Sequence, residues 1–268
     1  MSSMALSLAR TVACAALLVL TPAIPVGANE GRAPTCFGRT ATITGSSEIV
    51  GTPGNDVIVG SGGSDEIRGL GGDDLICGRG GSDTIDGGTG NDKLAGGDKT
   101  DTVDGGAGHD VLRGGRMFDF LEGGPGDDKI GSRKSSRHDS AIYKNAPGPV
   151  TIDLAQGTAI GEGSDTLIGI HFLQLSVHDD VVTGTDSKEV IRDFGGGDEL
   201  TLLGGNDFVY PPVGDDGDDI FALGAGDDFA NAGPGDDFID GGEGNDTVGG
   251  GAGTDECVNA EDIGDCEN

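Results

Sequence analysis

The sequence predicts an all-β solenoid, a stack of very short strands and turns built along one axis, and three observations predict it. From Gly51 to Gly131 the chain falls into nine consecutive units of nine residues. Gly supplies 54 of the 268 residues, while apolar residues reach only 34%, aromatics 4%, and Trp is absent. That leaves too few large side chains for one broad core, but a solenoid needs only a thin one fed by each strand. The third observation is charge: 47 Asp+Glu stand against 16 Lys+Arg, a net charge of −31. Nucleic acid and anionic lipid require basic surfaces, so both are excluded as partners. Collagen is excluded because the glycines do not fall at every third position.

Residues 1–28 read as a secretory signal peptide. Arg10 supplies a positive start, Val12 to Leu20 is apolar, Pro22 and Pro25 break the run, and Val26-Gly27-Ala28 offers a small-residue cleavage site before Asn29. The apolar run is too short to span a bilayer, and Cys14 lies inside it, which sets lipidation aside. No later stretch is apolar enough for membrane insertion, so the chain is expected to be secreted, extracellular and soluble. Four cysteines remain after cleavage: Cys36, Cys77, Cys257 and Cys266. An even number in an oxidising compartment favours two disulfides out of three possible pairings. Cys36–Cys77 and Cys257–Cys266 are favoured, because crossing between ends would need the chain to fold back. A zinc site is the rival, but no CxxC pair exists. Residues 29–50 are expected to cap the first coil, with Ile43 and Ile49 extending its apolar column.

In the block 51–131, position 1 of the repeat is Gly nine times: Gly51, Gly60, Gly69, Gly78, Gly87, Gly96, Gly105, Gly114 and Gly123. Position 6 is always Asp: Asp56, Asp65, Asp74, Asp83, Asp92, Asp101, Asp110, Asp119 and Asp128. Position 8 is always aliphatic: Ile58, Ile67, Ile76, Ile85, Leu94, Val103, Leu112, Leu121 and Ile130. Position 4 is Gly except at Lys99 and Met117. No disordered acidic polymer keeps three positions in phase over such a length.

The consensus G-G-x-G-x-D-x-U-x resembles that of the RTX calcium-binding repeat proteins, of a secreted bacterial type without a catalytic domain. The resemblance implies that G-G-x-G-x-D forms a turn and x-U-x a short parallel strand. Two repeats then make one coil of a right-handed parallel β-roll, in two blocks joined by irregular β coils. It also implies Ca2+ as the cofactor, held by the position-6 carboxylates and turn carbonyls. The residues support this reading. Glycines at fixed turn positions permit left-handed backbone and close approach of carbonyls. Coils about 4.8 Å apart would place the carboxylates in two columns, where neighbouring charges repel by roughly 1–3 kcal/mol each. Summed down a column, that exceeds a typical stability of about 5–15 kcal/mol. A hard dication between turns reverses the sign, and carboxylate plus carbonyl oxygens in a flexible loop suit calcium better than magnesium.

Residues 132–183 break the phase. Arg133, Lys134, Arg137 and His138 form a basic cluster, read as a solvated loop. Val150, Ile152 and Leu154 alternate as in a strand, and the segment is expected to continue the stack as irregular coils. A degenerate second block covers residues 184–258, with position 6 at Asp198, Asp207, Asp219, Asp228, Asp237, Asp246 and Asp255. Glu189 stands where Asp is expected, and Leu202-Leu203 and Pro211-Pro212 replace turn glycines. Residues 259–268 read as a cap pinned by Cys266.

A catalytic role finds little support. HExxH and G-x-S-x-G are absent, and His171 and His178, beside Asp179 and Asp180, lack a nucleophile in a recognisable context. The expected function is therefore a non-enzymatic, monomeric calcium-binding protein that folds around its ions outside the cell. The alternative is a calcium-dependent adhesion protein binding a cell-surface glycan or polysaccharide. An exposed aromatic row would favour that alternative, whereas Phe208, Tyr210, Phe229 and Phe238 read as occupants of strand positions.

Overall fold

The computed structural model describes residues 33–131, 139–210 and 217–266. The expected signal peptide, the basic cluster from Arg133 to His138 and Pro211-Pro212 lie outside these residues. Among the described residues every regular element is a strand. Successive strands alternate between two facing sheets, one of 12 strands and one of 14, to give a β-solenoid of about 12 coils. The 12-strand sheet runs from Glu48–Val50 through Thr84–Thr89 and Phe208–Tyr210 to Asp262–Gly264. The 14-strand sheet runs from Ile43–Thr44 through Leu75–Gly80 and Glu199–Leu203 to Glu256–Val258.

Within block 51–131 the parallel register is two repeats. Ile58 pairs with Ile76 and then Leu94, while Ile67 pairs with Ile85 and then Val103. Because strand side chains alternate in direction, only position 8 faces inward. These residues form one buried column that continues through Ala141, Leu173, Ile191 and Val209 on one side and Val182, Leu200, Phe221 and Ile239 on the other. Ile43 and Ile49 pair with Ile58 and Ile67, extending the column towards the N-terminus.

Between the blocks the stack persists with one feature the sequence does not announce. Ile130 pairs with Leu167, so 37 residues separate partners that within block 51–131 are 18 apart. The surplus folds as an antiparallel meander, Thr151–Asp153, Thr158–Ile160 and Ser164–Ile168, inside the 14-strand sheet. Both disulfides are those favoured above. Cys36–Cys77, with Cα atoms 5.7 Å apart, ties the hairpin Thr35–Cys36/Arg39–Thr40 to the second coil, and Cys257–Cys266 ties the last strands.

The glycines divide by mechanism. From the turn of Gly69 onward in the first block, positions 2 and 4 take the left-handed conformation, as at Gly106 (φ 89°) and Gly108 (φ 150°). Where a side chain stands there, as at Leu70, Arg79, Lys99 and Met117, φ remains near 80°, a conformation costing about 1–2 kcal/mol for an L-residue. Leu70 and Met117 consequently point into solvent. At Gly106 a Cβ would also lie 2.1 Å from the Gly88 carbonyl oxygen, whereas at Gly54 it would meet nothing within 4 Å. Gly106→Ala is therefore expected to destabilise the chain by more than about 2 kcal/mol, with Gly54→Ala within about 0.5 kcal/mol of wild type. Denaturant unfolding in calcium-containing buffer checks both; equal midpoints for the two variants would contradict the assignment.

Candidate metal centres: two columns of buried carboxylates

The position-6 side chains form two files along the stack. On the 14-strand side these are Asp56, Asp74, Asp92, Asp110 and Asp128, continued by Asp165, and later Asp180, Asp198, Asp219, Asp237 and Asp255. On the 12-strand side they are Asp65, Asp83, Asp101, Asp119 and Asp139, then His171 and Glu189, then Asp207, Asp228 and Asp246, closed by Glu261. Every one of the sixteen predicted aspartates is buried, Asp56 being the most exposed at 8%.

One hydrogen bond recurs throughout. The backbone N–H of each position-6 residue donates to the Oδ1 of its counterpart one coil further on. The distances are 2.7–2.9 Å from Asp56 to Asp165 and 2.8–2.9 Å from Asp65 to Asp119. The same bond links Asp180 to Asp198, Asp198 to Asp219, Glu189 to Asp207, Asp207 to Asp228 and Asp228 to Asp246. An outer ladder at position 5 runs parallel to it, and His109 belongs there: its Nδ1 accepts the N–H of Asp127 at 3.0 Å.

The second carboxylate oxygen has a different fate. In Asp74, Asp83, Asp92, Asp101, Asp110 and Asp128, and in Asp207, Asp228 and Asp246, Oδ2 is buried and receives no hydrogen bond. In the first block and at Asp246 it faces the position-1 glycine of its own turn, whereas at Asp207 and Asp228 position 1 is Leu202 and Leu223. A Cβ on Gly69 would lie 2.3 Å from Asp74 Oδ2 and 2.4 Å from the Gly87 carbonyl oxygen of the next coil, and Gly87 and Gly105 repeat the arrangement. Position 1 is thus glycine to leave room where a carboxylate and a carbonyl oxygen converge. Negative oxygens without donors, grouped with carbonyls, are a donor set for a hard dication. The residues fit calcium. An Asn would accept the same inter-coil N–H and turn an amide towards the carbonyl, with no ion required; this chain places Asp at the position instead.

Elsewhere the protein supplies the missing donors itself. Thr52 gives Asp56 Oδ2 both its N–H (2.7 Å) and its hydroxyl (2.9 Å), and Ser61 contacts both oxygens of Asp65. At the start of the second block Ser176 does the same for Asp180, and Thr185 for Glu189. Tyr143 occupies a position-1 seat and donates its hydroxyl to Asp165 Oδ2 at 2.9 Å. His171 takes a carboxylate's place in the 12-strand file, its Nδ1 lying 3.2 Å from Glu189 Oε1. Asp139, Asp165 and Asp180 escaped the sequence reading because insertions hide the nine-residue phase, and Asp193 because it stands at position 1, where the repeat has glycine. For the first three the D-x-U triplets Asp139-Ser140-Ala141, Asp165-Thr166-Leu167 and Asp180-Val181-Val182 were the available signal.

A family model described as "RTX calcium-binding nonapeptide repeat (4 copies)" matches residues 50–85, 86–116, 109–131, 213–230 and 223–257. The chain is an RTX repeat protein. Among curated proteins, none matches it. RTX repeats are a structural calcium-binding type, which agrees with the donor set in both files.

Burial raises the carboxyl groups of Asp92, Asp101, Asp128 and Asp207 to about 7. The inter-coil N–H opposes this, and neighbouring carboxylates add to it. Asp198 is raised further, by burial and then by Asp193. A folded-state value above the unfolded one contributes stability that is complete below about pH 3.8 and lost as pH rises through 7. In chelator, unfolding midpoints should therefore fall steadily between about pH 4 and 7 and level off above. A midpoint that rises over that window would show that these carboxylates are stabilised in their charged form without an ion.

Proposed function

We propose that this RTX repeat protein is a secreted calcium-binding β-roll whose folding is coupled to calcium outside the cell. The observation that carries the reading is the row of buried Oδ2 atoms without donors at Asp74, Asp83, Asp92, Asp101, Asp110 and Asp128 and at Asp207, Asp228 and Asp246. The seats assigned to calcium are those of Asp74, Asp83, Asp92, Asp101, Asp110, Asp119 and Asp128, with Asp198, Asp207, Asp219, Asp228, Asp237, Asp246 and Asp255 in the second block. Asp56 and Asp65, whose carboxylates are met by Thr52 and Ser61, serve as the ion-free start of the ladder. A bound dication supplies charge neutralisation between successive turns. The protein's part is to fix the carboxylate through the inter-coil N–H and, in the first block, to keep the seat open with glycine. Affinities of about 10⁻⁴–10⁻³ M, usual for extracellular modules, would leave the ladder empty in a low-calcium cytosol and filled after export. Two disulfides suit an oxidising destination, and no helix among the described residues is long and apolar enough to cross a membrane. A non-catalytic role fits the histidines, since His171 contacts Glu189 and the Ser176 hydroxyl is engaged by Asp180.

Far-UV circular dichroism of the chain from Asn29 onward, titrated with calcium from a chelated start, is expected to show a cooperative gain of β signal that magnesium does not produce. Asp92→Asn should weaken that response while raising the stability of the calcium-free state by about 1–3 kcal/mol, since a buried unsatisfied charge is removed. A β spectrum indifferent to chelation would mean that packing and disulfides suffice, and would end the calcium-coupled reading.

A second reading, binding of a cell-surface glycan, is favoured by an observation the sequence did not suggest. Positions 7 and 9 flank the inward residue and face outward, so the aromatics there are on the surface. Phe120, Phe172, Phe208 and Phe229 share one register position on the outer face of the 12-strand sheet. Phe208 and Phe229 stack at 6.1 Å, Lys188 lies 3.8 Å above the Phe208 ring, and Tyr210 is 42% exposed. Beside them Phe118, Phe120, Phe172, Val190, Arg192 and Tyr210 line a groove of about 250 Å³. Exposed aromatics grouped this way mark binding surfaces. Sedimentation with insoluble cell-wall polysaccharide should deplete the wild-type chain at least about tenfold more than Tyr210→Ala/Phe229→Ala, a loss of about 1.4 kcal/mol. Equal depletion would remove this reading and leave the calcium reading untouched.

A further inference from the structure

We infer that Asp193, Asp198 and Asp219 form a cation seat of a kind different from the rest of the ladder, one with three carboxylates that takes calcium ahead of the other turns. The inference rests on the calcium reading proposed above. In the repeat register Asp193 stands at position 1, directly after the strand Val190–Arg192 and five residues before the position-6 Asp198. This is the spacing of Gly69 to Asp74, so a carboxylate occupies the seat that glycine holds in all nine turns of the first block. All three side chains are at most 1% exposed, and one carboxylate oxygen from each lies within 4.8 Å of the others. Two oxygens bound to one calcium at 2.3–2.6 Å can be no more than about 5 Å apart, so the spacing suits a shared ion.

The backbone fixes this geometry. The N–H of Gly195 donates to Asp193 Oδ1 at 2.9 Å, the N–H of Asp180 to Asp198 Oδ1, and the N–H of Asp198 to Asp219 Oδ1. Asp198 Oδ2 is buried, accepts no backbone N–H or hydroxyl, and has the Asp193 carboxyl as its neighbour. Arg192, adjacent in sequence, is exposed and lies 5.9 Å from the Phe194 ring centroid. Buried carboxylates gathered in this way demand a counter-charge.

Comparison of position-1 seats shows what is special here. With Gly69 the seat is open to one carboxylate and one carbonyl, and with Tyr143 it brings a hydroxyl that satisfies Asp165. With Asp193 it brings a further negative charge, which can only raise the demand for a cation. Affinity for calcium rises with the number of charged ligands, so this seat fills first. Its place is also specific. The preceding carboxylates, Asp180 and Glu189, already receive hydroxyls from Ser176 and Thr185, so the seat is where the ion-requiring part of the second block begins.

The test is calorimetric titration of calcium alone into the chelated full chain, comparing wild type with Asp193→Gly and Asp193→Asn. Glycine is the repeat's own residue at this position, and asparagine keeps both the size and the acceptor for Gly195. Wild type is expected to show a class of about one calcium per chain binding at least about tenfold tighter than the remainder. Both variants should lose that class and retain the weaker one. If Asp193→Gly does not fold, Asp193→Asn decides alone. Superimposable curves for wild type and variants overturn the special seat while leaving the ladder standing. No calcium uptake by wild type overturns both.

Discussion

Each coil of this solenoid is held to the next by a carboxylate that does two things at once. Its Oδ1 accepts the backbone N–H of the equivalent residue in the preceding coil, which welds turn to turn as the strand ladder welds strand to strand. Its Oδ2 is carried into the interior by the same geometry. The bond that aligns the stack therefore buries a charge at every step, and the benefit of one cannot be had without the cost of the other while the residue is Asp. With 47 acidic residues against 16 basic ones, side-chain cations are too few to compensate at each level. Compensation has to come from hydroxyls, from protons or from an external dication, and different turns of this chain are built for different choices.

Glycine is spent according to that constraint. At positions 2 and 4 it serves backbone conformation, and a few side chains are tolerated there because they can point outward, as Met117 does at 63% exposure. At position 1 conformation is not the issue: Gly69 and Gly87 have no left-handed φ, and what forbids a side chain is the carboxylate and carbonyl beside them. A substitution at the first kind of site strains the backbone. At the second kind it replaces whatever the two oxygens were meant to hold, which makes it a change of chemistry as well as of packing.

The regular parts of this arrangement were legible because they are periodic. Position 8 announced the core column from Ile58 to Ile130, and position 6 announced both files of carboxylates. Cys36 and Cys77 stand towards one end of the chain and Cys257 and Cys266 towards the other, so the pairing followed from not requiring the chain to fold back. What stayed hidden was whatever depends on insertions or on which side of a strand faces out. The meander from Thr151 to Ile168 shifts the phase by more than two repeats, so Asp139, Asp165 and Asp180 lost their neighbours in sequence while keeping them in space. The aromatics were assigned to strands correctly but to no face, since a three-residue strand shows too little alternation to say that Phe208 and Tyr210 flank Val209 instead of joining it. Asp193 was invisible for a simpler reason: in an acidic sequence one more Asp carries no signal until the register shows that it sits in a glycine's place.

The distribution of protein-supplied donors gives the stack a direction. Thr52 and Ser61 satisfy the first two carboxylates of one block, and Ser176 and Thr185 satisfy the first of the other. On the calcium reading proposed above, these turns need no ion, so in the absence of calcium local stability would be greatest at the N-terminal edge of each block and decline along it. The Cys36–Cys77 disulfide reinforces one such edge, and Tyr143 with the meander lies between the two. A coil formed there presents its carbonyls and position-6 N–H groups to the next, which can close only by burying a new charge. Growth of the stack is then limited at each step by neutralisation and not by finding the register, because the register is already displayed. On that reading the repeat separates the information that specifies the fold, written in the protein, from the charge that completes it, which the surroundings would provide.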